Sequence, residues 1–418
     1  MSEIQNNNIA ELADTSSGMK NALGNFIAKQ FESFLAGVSD GQLALTWPSG
    51  TTSYYGTRSD VASNNASVTL HSFQPIRQLA VSGNIGFAES YMEGEWSTDN
   101  LLNLFHLVMR NDPAVKTTFA GSFRNRLNGF MRHWQNRNSK KGSQRNIAYH
   151  YDLGNDFYKL WLDASMNYSS GLYESESDDL AAAQQNKMAK VCAMMQPEAG
   201  SRVLEIGCGW GALANYMATN ASVDVEGISL SSEQLAYADQ YNTVSKKPLG
   251  GSTAFRHQDY REVDDTFDHI MSVEMFEAVG EQYWESYFNQ LKHLLKEDGT
   301  AILQVITIDE SRFEKYRKQP DFIQRYIFPG GMLPTRTHLA KLAESAGFEI
   351  DQSLWFGKSY ARTLAHWRHK FEAAQHGVAG LGFDERFTRM WRYYLVYCET
   401  GFNLDLTDVG LIKLVKRS

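Results

Sequence analysis

The chain has three cysteines in 418 residues, Cys192, Cys208 and Cys398. They are too few and too scattered for a disulfide framework or a cysteine metal site. That usage fits a reducing cytoplasm. No apolar run approaches the ~20 residues that cross a bilayer as a helix. The first residues, Met-Ser-Glu-Ile-Gln-Asn-Asn-Asn, carry neither a basic segment nor an apolar one, so no secretory signal is expected. The most local absence is acidic. Between Pro113 and Tyr151 there is no Asp or Glu, while Lys116, Arg124, Arg126, Arg132, Arg137, Lys140, Lys141 and Arg145 supply eight positive charges. A net charge of −8 less those eight leaves −16 on the rest of the chain. An acidic protein with one basic belt implies an anionic partner for that belt.

What is present is a soluble globular composition, 43% hydrophobic and 21% charged. Residues 1–18 read as disordered, and Met19 to Val38 has a helical period. Three strand-like runs follow, Gln42–Trp47, Thr51–Tyr55 and Ser67–Phe73. Helical patterns then cover Pro75–Ser82, Gly86–Glu93 and Thr98–Met109, with Ser97 as the expected N-cap of the last. Residues 1–121 are therefore expected to form a small α+β domain that carries no catalytic constellation. A basic amphipathic linker, 122–145, comes next. In it Phe123, Leu127, Phe130, Met131 and Trp134 share one helical face, with arginines largely off it. Two roles fit this pattern: lying on an anionic membrane surface, or packing on the next domain. No nucleic-acid module is recognisable.

From residue 146 to 418 the chain alternates strand and helix. The strands expected are Val203–Ile206, Val223–Ile228, Thr253–Arg256, His269–Val273, Ala301–Ile308, Phe348–Leu354 and Leu411–Lys416. This is the pattern of an α/β, doubly wound, Rossmann-like sheet, whose ligands sit beyond the carboxyl ends of the strands. Two insertions are long for the fold, 309–334 and 357–403, and the aromatic-rich second one is read as a helical lid.

The central stretch is Arg202-Val-Leu-Glu-Ile-Gly-Cys-Gly-Trp-Gly211. A buried strand turning through Gly207, Gly209 and Gly211 into a helix lets backbone approach a ligand closely. Glu-x-Gly-x-Gly-x-Gly after a strand resembles the nucleotide loop of class I S-adenosylmethionine (SAM) methyltransferases. Further runs match one family. They are Tyr149 to Asn155, Met166-Asn-Tyr-Ser169, Gly227-Ile-Ser-Leu-Ser-Ser-Glu-Gln234, Gln258-Asp-Tyr-Arg261, Met275-Phe-Glu-Ala-Val-Gly280, Tyr326-Ile-Phe-Pro-Gly-Gly331 and Arg386-Phe387. With these the domain resembles the cyclopropane-fatty-acyl-phospholipid synthases and the mycolic acid cyclopropane synthases.

The resemblance implies that the double bond of a phospholipid acyl chain attacks the SAM methyl, giving a carbocation that loses a proton and closes a cyclopropane ring. Chemically, that requires an apolar slot, aromatic faces that stabilise a cation, and a base held away from the donor. In the family the base is a bound bicarbonate. Its contacts correspond here to Glu277, Tyr360 and the backbone of Ile306. Gln304 stands where bacterial cyclopropane synthases have histidine and plant-type members glutamine, and Ser170 stands where the family has cysteine. The serine leaves a second outcome open, a methyl branch beside a retained double bond without ring closure. The resemblance assigns SAM contacts to Tyr168, Ser169, Glu205, Gly207, Gly209, Ser229, Leu230, Gln234, Asp259 and Tyr260, with no metal. It also implies a cytoplasmic enzyme peripheral to the inner membrane, working on phospholipid as a homodimer. A soluble small-molecule methyltransferase and an inactive lipid- or SAM-binding module are the competing readings.

Overall fold

The computed structural model describes residues 31, 35–111, 153–244 and 250–417. The basic belt and the run Tyr149–Asp152 lie outside them. The described residues form two compact units. One joins those of Met1–Arg132 to Val378–Leu404; the other joins those of His133–Gly377 to those of Asp405–Ser418.

In the first unit four strands, β1 (Gln42–Thr46), β2 (Thr52–Gly56), β3 (Asn65–Leu70) and β4 (Trp96–Ser97), pair in the order β2-β1-β3-β4. Strand β3 runs parallel to β1, and the other pairs are antiparallel. Alternation decides the inward face: Leu43, Leu45, Val68 and Leu70 are buried. The two helices expected between 75 and 93 form one span, Gln74–Met92, broken at Gly83 (φ 60°, ψ −149°). The helix Leu101–Arg110 starts later than expected. Its N-cap is Asn100, whose side chain accepts from the Asn103 N–H, while the expected cap Ser97 pairs with Thr69 in β4. Asn100 directly precedes the first apolar residue of the periodic face, which is where a cap satisfies free N–H groups.

The expected lid 357–403 divides. Gly357–Ala373 stays with the second unit, but Glu385–Asn403, including the matched pair Arg386-Phe387, belongs to the first. There Tyr393 packs on Phe105 and Tyr91, with centroids 4.8 and 5.9 Å away, and Arg386 pairs with Glu93. The aromatic stripe that suggested a lid is thus the apolar face of a packing helix.

In the second unit all seven expected strands form one sheet. They are β5 (Arg202–Ile206), β6 (Asp224–Ser229), β7 (Thr253–His257), β8 (Phe267–Val273), β9 (Leu295–Ile308), β10 (Phe348–Trp355) and β11 (Thr407–Lys416). Their order is β10-β11-β9-β8-β5-β6-β7. Strands β5 to β9 run parallel, and β11 is antiparallel between β9 and β10. Val203 to Ile206 is buried without alternation, as a central parallel strand covered on both faces must be.

The loop after β5 is built on three left-handed glycines, Gly207, Gly209 and Gly211, with φ of 84°, 52° and 83°. The N–H groups of Gly207 and Cys208 both donate to the Ile228 carbonyl, which ties the loop to the end of β6. Gly211 caps the helix Ala212–Ala221. A Cβ there would come within 2.8 Å of the Phe255 ring and 2.9 Å of Ala238 Cβ. Gly211→Ala should therefore lower stability by about 2–4 kcal/mol, left-handed strain and overpacking together. Urea denaturation followed by tryptophan fluorescence measures it, and a loss below 1 kcal/mol would contradict the close packing of this loop.

Candidate active site

Parallel strands deliver their carboxyl ends to one edge, and the chemistry-bearing residues gather there. Strand β8 ends at Val273, and the next residue, Glu274, turns left-handed with φ 50°. Its N–H donates to the Gln304 carbonyl of β9 at 2.8 Å. A glutamate in that conformation carries strain of about 1–2 kcal/mol. The turn aims the carboxylate at three donors. Glu274 Oε1 accepts from the Ser170 N–H at 2.9 Å and from Gln304 Nε2 at 2.7 Å. Its Oε2 accepts from the Tyr360 hydroxyl at 2.6 Å. One 3₁₀ turn later, Glu277 Oε1 accepts from the Ile306 N–H, and Glu277 Oε2 is buried with no partner.

The five expected catalytic residues are thus brought together, three of them around a carboxylate absent from the expectations. Glu274 had a signal: two acids three residues apart at the end of a strand, in Val273-Glu-Met-Phe-Glu277. It lay one residue outside the run that resembles the family. The Ser170 hydroxyl donates to the Gly171 carbonyl at 2.8 Å, and its peptide N–H is what faces the acid. A cysteine-to-serine change leaves that N–H in place. Bicarbonate does not fit, because the Glu274 carboxylate already occupies Ser170, Gln304 and Tyr360.

The two acids are electrostatically unequal. Burial and then the charge of Glu274 push Glu277 up to about 8, opposed by the Ile306 N–H. Burial also raises Glu274, but the Tyr360 hydroxyl, the Ser170 N–H, Gln304 and the more distant Lys187 all favour its charged form. Within the pair the donors thus favour charge on Glu274, and Glu277 is held toward its protonated form.

Tyr360 stands in the first turn of the helix Gly357–Ala373. The Asp408 carboxylate accepts from the Gly357 N–H at 2.8 Å and pairs with Arg336. From the next turn Arg362 donates to the carbonyls of Ser175, Glu176 and Asp178, fixing the loop that follows Ser170. The same helix contributes Trp367. Around Tyr168 the rings of Tyr158, Trp161, Trp367 and Phe328 lie 5.4, 5.3, 5.3 and 6.5 Å away, and Trp367 meets Tyr360 edge-on. The result is a packed aromatic cluster against Tyr360, the residue whose hydroxyl donates to Glu274.

The expected cofactor residues occupy the neighbouring loops. Gly209 has nothing within 4 Å of where a Cβ would stand, so the loop offers an open cradle. Ser229 and Gln234 bond each other at 3.0 Å at the end of β6, and the Leu230 carbonyl contacts His257. The Asp259 carboxylate is clamped by Arg261 at 2.6 and 2.8 Å, and Tyr260 packs on Tyr287. Glu205, in β5, is buried with Oε2 unpartnered. Ser169 is held by Gln184 and by Lys187, a buried lysine the sequence reading passed over. A glycine cradle, a free carboxylate oxygen and polar loop ends suit a nucleoside bearing a zwitterionic amino acid, and so SAM.

Known proteins bear this out. The family model for mycolic acid cyclopropane synthetase matches residues 138–412. The chain is 35% identical over 348 residues to the tuberculostearic acid methyltransferase UfaA1 of Mycobacterium tuberculosis, covering 81% of each protein. It is 36% identical over 339 residues to the cyclopropane-fatty-acyl-phospholipid synthase of Escherichia coli, covering 81% of this chain and 84% of that one. The solved mycolic acid cyclopropane synthase CmaA1, complexed with SAH and CTAB, is 27% identical with a TM-score of 0.61, over 65% of this chain and 98% of that one. The chain belongs to the cyclopropane synthase family and is a SAM-dependent enzyme of the methyltransferase type.

Proposed function

We propose that this enzyme adds one carbon to the cis double bond of an unsaturated acyl chain in a membrane phospholipid, closing a cyclopropane ring, with Glu274 as the base. The observation that carries the reading is the buried Glu274 carboxylate, held by Ser170, Gln304 and Tyr360. SAM, bound over the glycine loop, supplies an electrophilic methyl group. The alkene π pair forms the new C–C bond as the C–S bond breaks, which leaves a cation on the chain. Glu274 takes a proton from the new methyl group, and the freed C–H pair closes the ring. Tyr360, Gln304 and the Ser170 N–H orient the base without taking its charge. The rings of Tyr168, Trp161 and Trp367 exclude water and face the cation with π density.

The likeness to UfaA1, a methyltransferase by name, favours a second reading. In it the cation loses its proton from a chain carbon, leaving a methyl branch beside a double bond. Among the described residues no helix is long and apolar enough to cross a membrane. A phospholipid substrate would bring the enzyme to a membrane surface, and the eight Lys/Arg between Pro113 and Tyr151 suit anionic headgroups.

Acyl chains of phospholipids from a host without its own cyclopropane synthase, with and without this protein, test the outcome. Chains heavier by one CH₂ that resist mild hydrogenation are expected. Uptake of two hydrogens would establish the methyl branch instead, and unmodified chains would remove the acyl-chain reading.

Glu274→Gln keeps size and removes the charge. It should reduce turnover by about 10²–10⁴-fold with SAM affinity unchanged, and the wild-type rate should not respond to bicarbonate depletion or addition. Rescue of the variant by bicarbonate would show that an external anion is the natural base.

Glu277 gives a pH signature. Its carboxyl, at 4.5 ordinarily and about 8 in the folded protein, holds its proton more tightly when folded. Its contribution to stability therefore falls as pH rises from about 4.5 to about 8. In Glu277→Gln this fall is absent, so the variant should gain stability relative to wild type across that window. Parallel melting curves from pH 5 to pH 8 check it, and a constant difference would mean that Glu277 is ionised throughout.

A further inference from the structure

The helix Gly357–Ala373 reaches Glu274 by a second route besides the Tyr360 hydroxyl. One turn further along, Thr363 is fully buried. Its hydroxyl donates to the Ser359 carbonyl of the same helix at 2.9 Å and accepts from the Gly171 N–H at 3.1 Å. The one hydrogen of the hydroxyl is committed to Ser359, so its lone pairs are what meets Gly171. Gly171 follows Ser170, whose own N–H donates to Glu274.

This short segment is pinned residue by residue. Its four successive N–H groups, Ser170 to Tyr173, go in turn to Glu274 Oε1, Thr363 Oγ1, the Ala183 carbonyl and Ser359 Oγ. A Cβ at Gly171 would come within 2.8 Å of Ala183 Cβ, so the helix Leu180–Met195 closes the segment from another side. The bonds form a closed ring. It runs from Glu274 Oε2 to the Tyr360 hydroxyl, along one helical turn to Thr363, across to Gly171, back to Ser170, and through the Ser170 N–H to Glu274 Oε1. Donors to the two oxygens of one carboxylate thus share one frame, and Thr363 is the link that closes it. Without that link the Gly171 N–H would be buried with no acceptor, and the Ser170 N–H would no longer be fixed relative to Tyr360.

We propose that Thr363 is a positioning residue for the reaction, acting on the orientation of the Glu274 carboxylate through Gly171 and Ser170. The proposal rests on the reading of Glu274 as the base. It adds that the aim of this base is set by a threonine outside the carboxylate's own three donors.

Turnover by the full chain on vesicles of dioleoylphosphatidylglycerol, read as S-adenosylhomocysteine release, tests it with Thr363→Val, Glu274→Gln and the double variant. Thr363→Val keeps the shape of the side chain and removes the acceptor. It should lower kcat by about 10–100-fold with the KM for SAM within about two-fold, and Thr363→Ser should bring kcat back to within about three-fold of wild type. Because Thr363 acts through Glu274, the double variant should be no slower than Glu274→Gln alone. Losses that multiply in the double variant would overturn the proposal and leave Glu274 as the base. An unchanged kcat in Thr363→Val, a rise in KM alone, or a Thr363→Ser as slow as Thr363→Val would overturn it too. Full turnover by Glu274→Gln, or none by wild type on these vesicles, would instead remove the reading on which the proposal rests. Thr363→Ala carries the same cycle if Thr363→Val does not fold.

Discussion

A charged carboxylate cannot be buried without donors, and the second unit is organised around meeting that condition at Glu274. Uncompensated, such a group would take up a proton or cost several kcal/mol. Here the compensation comes from three places far apart in sequence: the segment at Ser170, strand β9 at Gln304, and the helix that carries Tyr360. Each is fixed by something else. Gln184 and Lys187 hold the first, β8 and β11 flank the second, and Asp408 and Arg336 hold the start of the third. The left-handed turn at Glu274 is the local strain that lets the acid face all of them at once.

The neighbouring acid completes the arrangement. Two buried carboxylates acting on one another cannot both be ionised at neutral pH, and the donors decide which one is. Glu274 has three and Glu277 has one, the Ile306 N–H. The donors therefore favour charge on Glu274, and burial with the charge of that neighbour holds Glu277 toward its protonated form.

The sheet was legible because its central strands hold apolar runs buried on both faces, bounded by glycine and polar turns. Val203–Ile206 and Ala301–Ile308 could hardly be anything else. The SAM loop was legible for a related reason: three glycines at spacing two after a strand permit few structures. The lid was misassigned because periodicity reveals that Glu385–Asn403 has an apolar face but not what that face meets; its partners are Tyr91 and Phe105, nearly 300 residues earlier. Glu274 and Lys187 were missed for the same kind of reason. Lys187 sits in Gln-Asn-Lys-Met-Ala-Lys, which reads as a solvated helix face, and only the tertiary fold buries it. The meaning of Glu274 is set by Ser170 and Tyr360, which lie 104 and 86 residues away.

A base tethered to the chain differs physically from a captured anion. A captured anion must bind before each turnover and can leave, so its occupancy depends on its concentration. A carboxylate on Glu274 is always present, and the entropy of placing it is met on folding instead of on binding. In the proposed reaction the tether brings a different constraint: Glu274 must shed its proton before the next turnover, because it cannot be exchanged for a fresh base. That sets opposing limits on its basicity. Burial raises the proton affinity of Glu274 and makes it a better acceptor, while the hydroxyl, amide and peptide N–H donors hold that rise in check. Stripping away those donors would strengthen the base and trap the proton. On this argument Tyr360, Gln304 and the Ser170 N–H serve the return of the base to its charged form as much as its orientation.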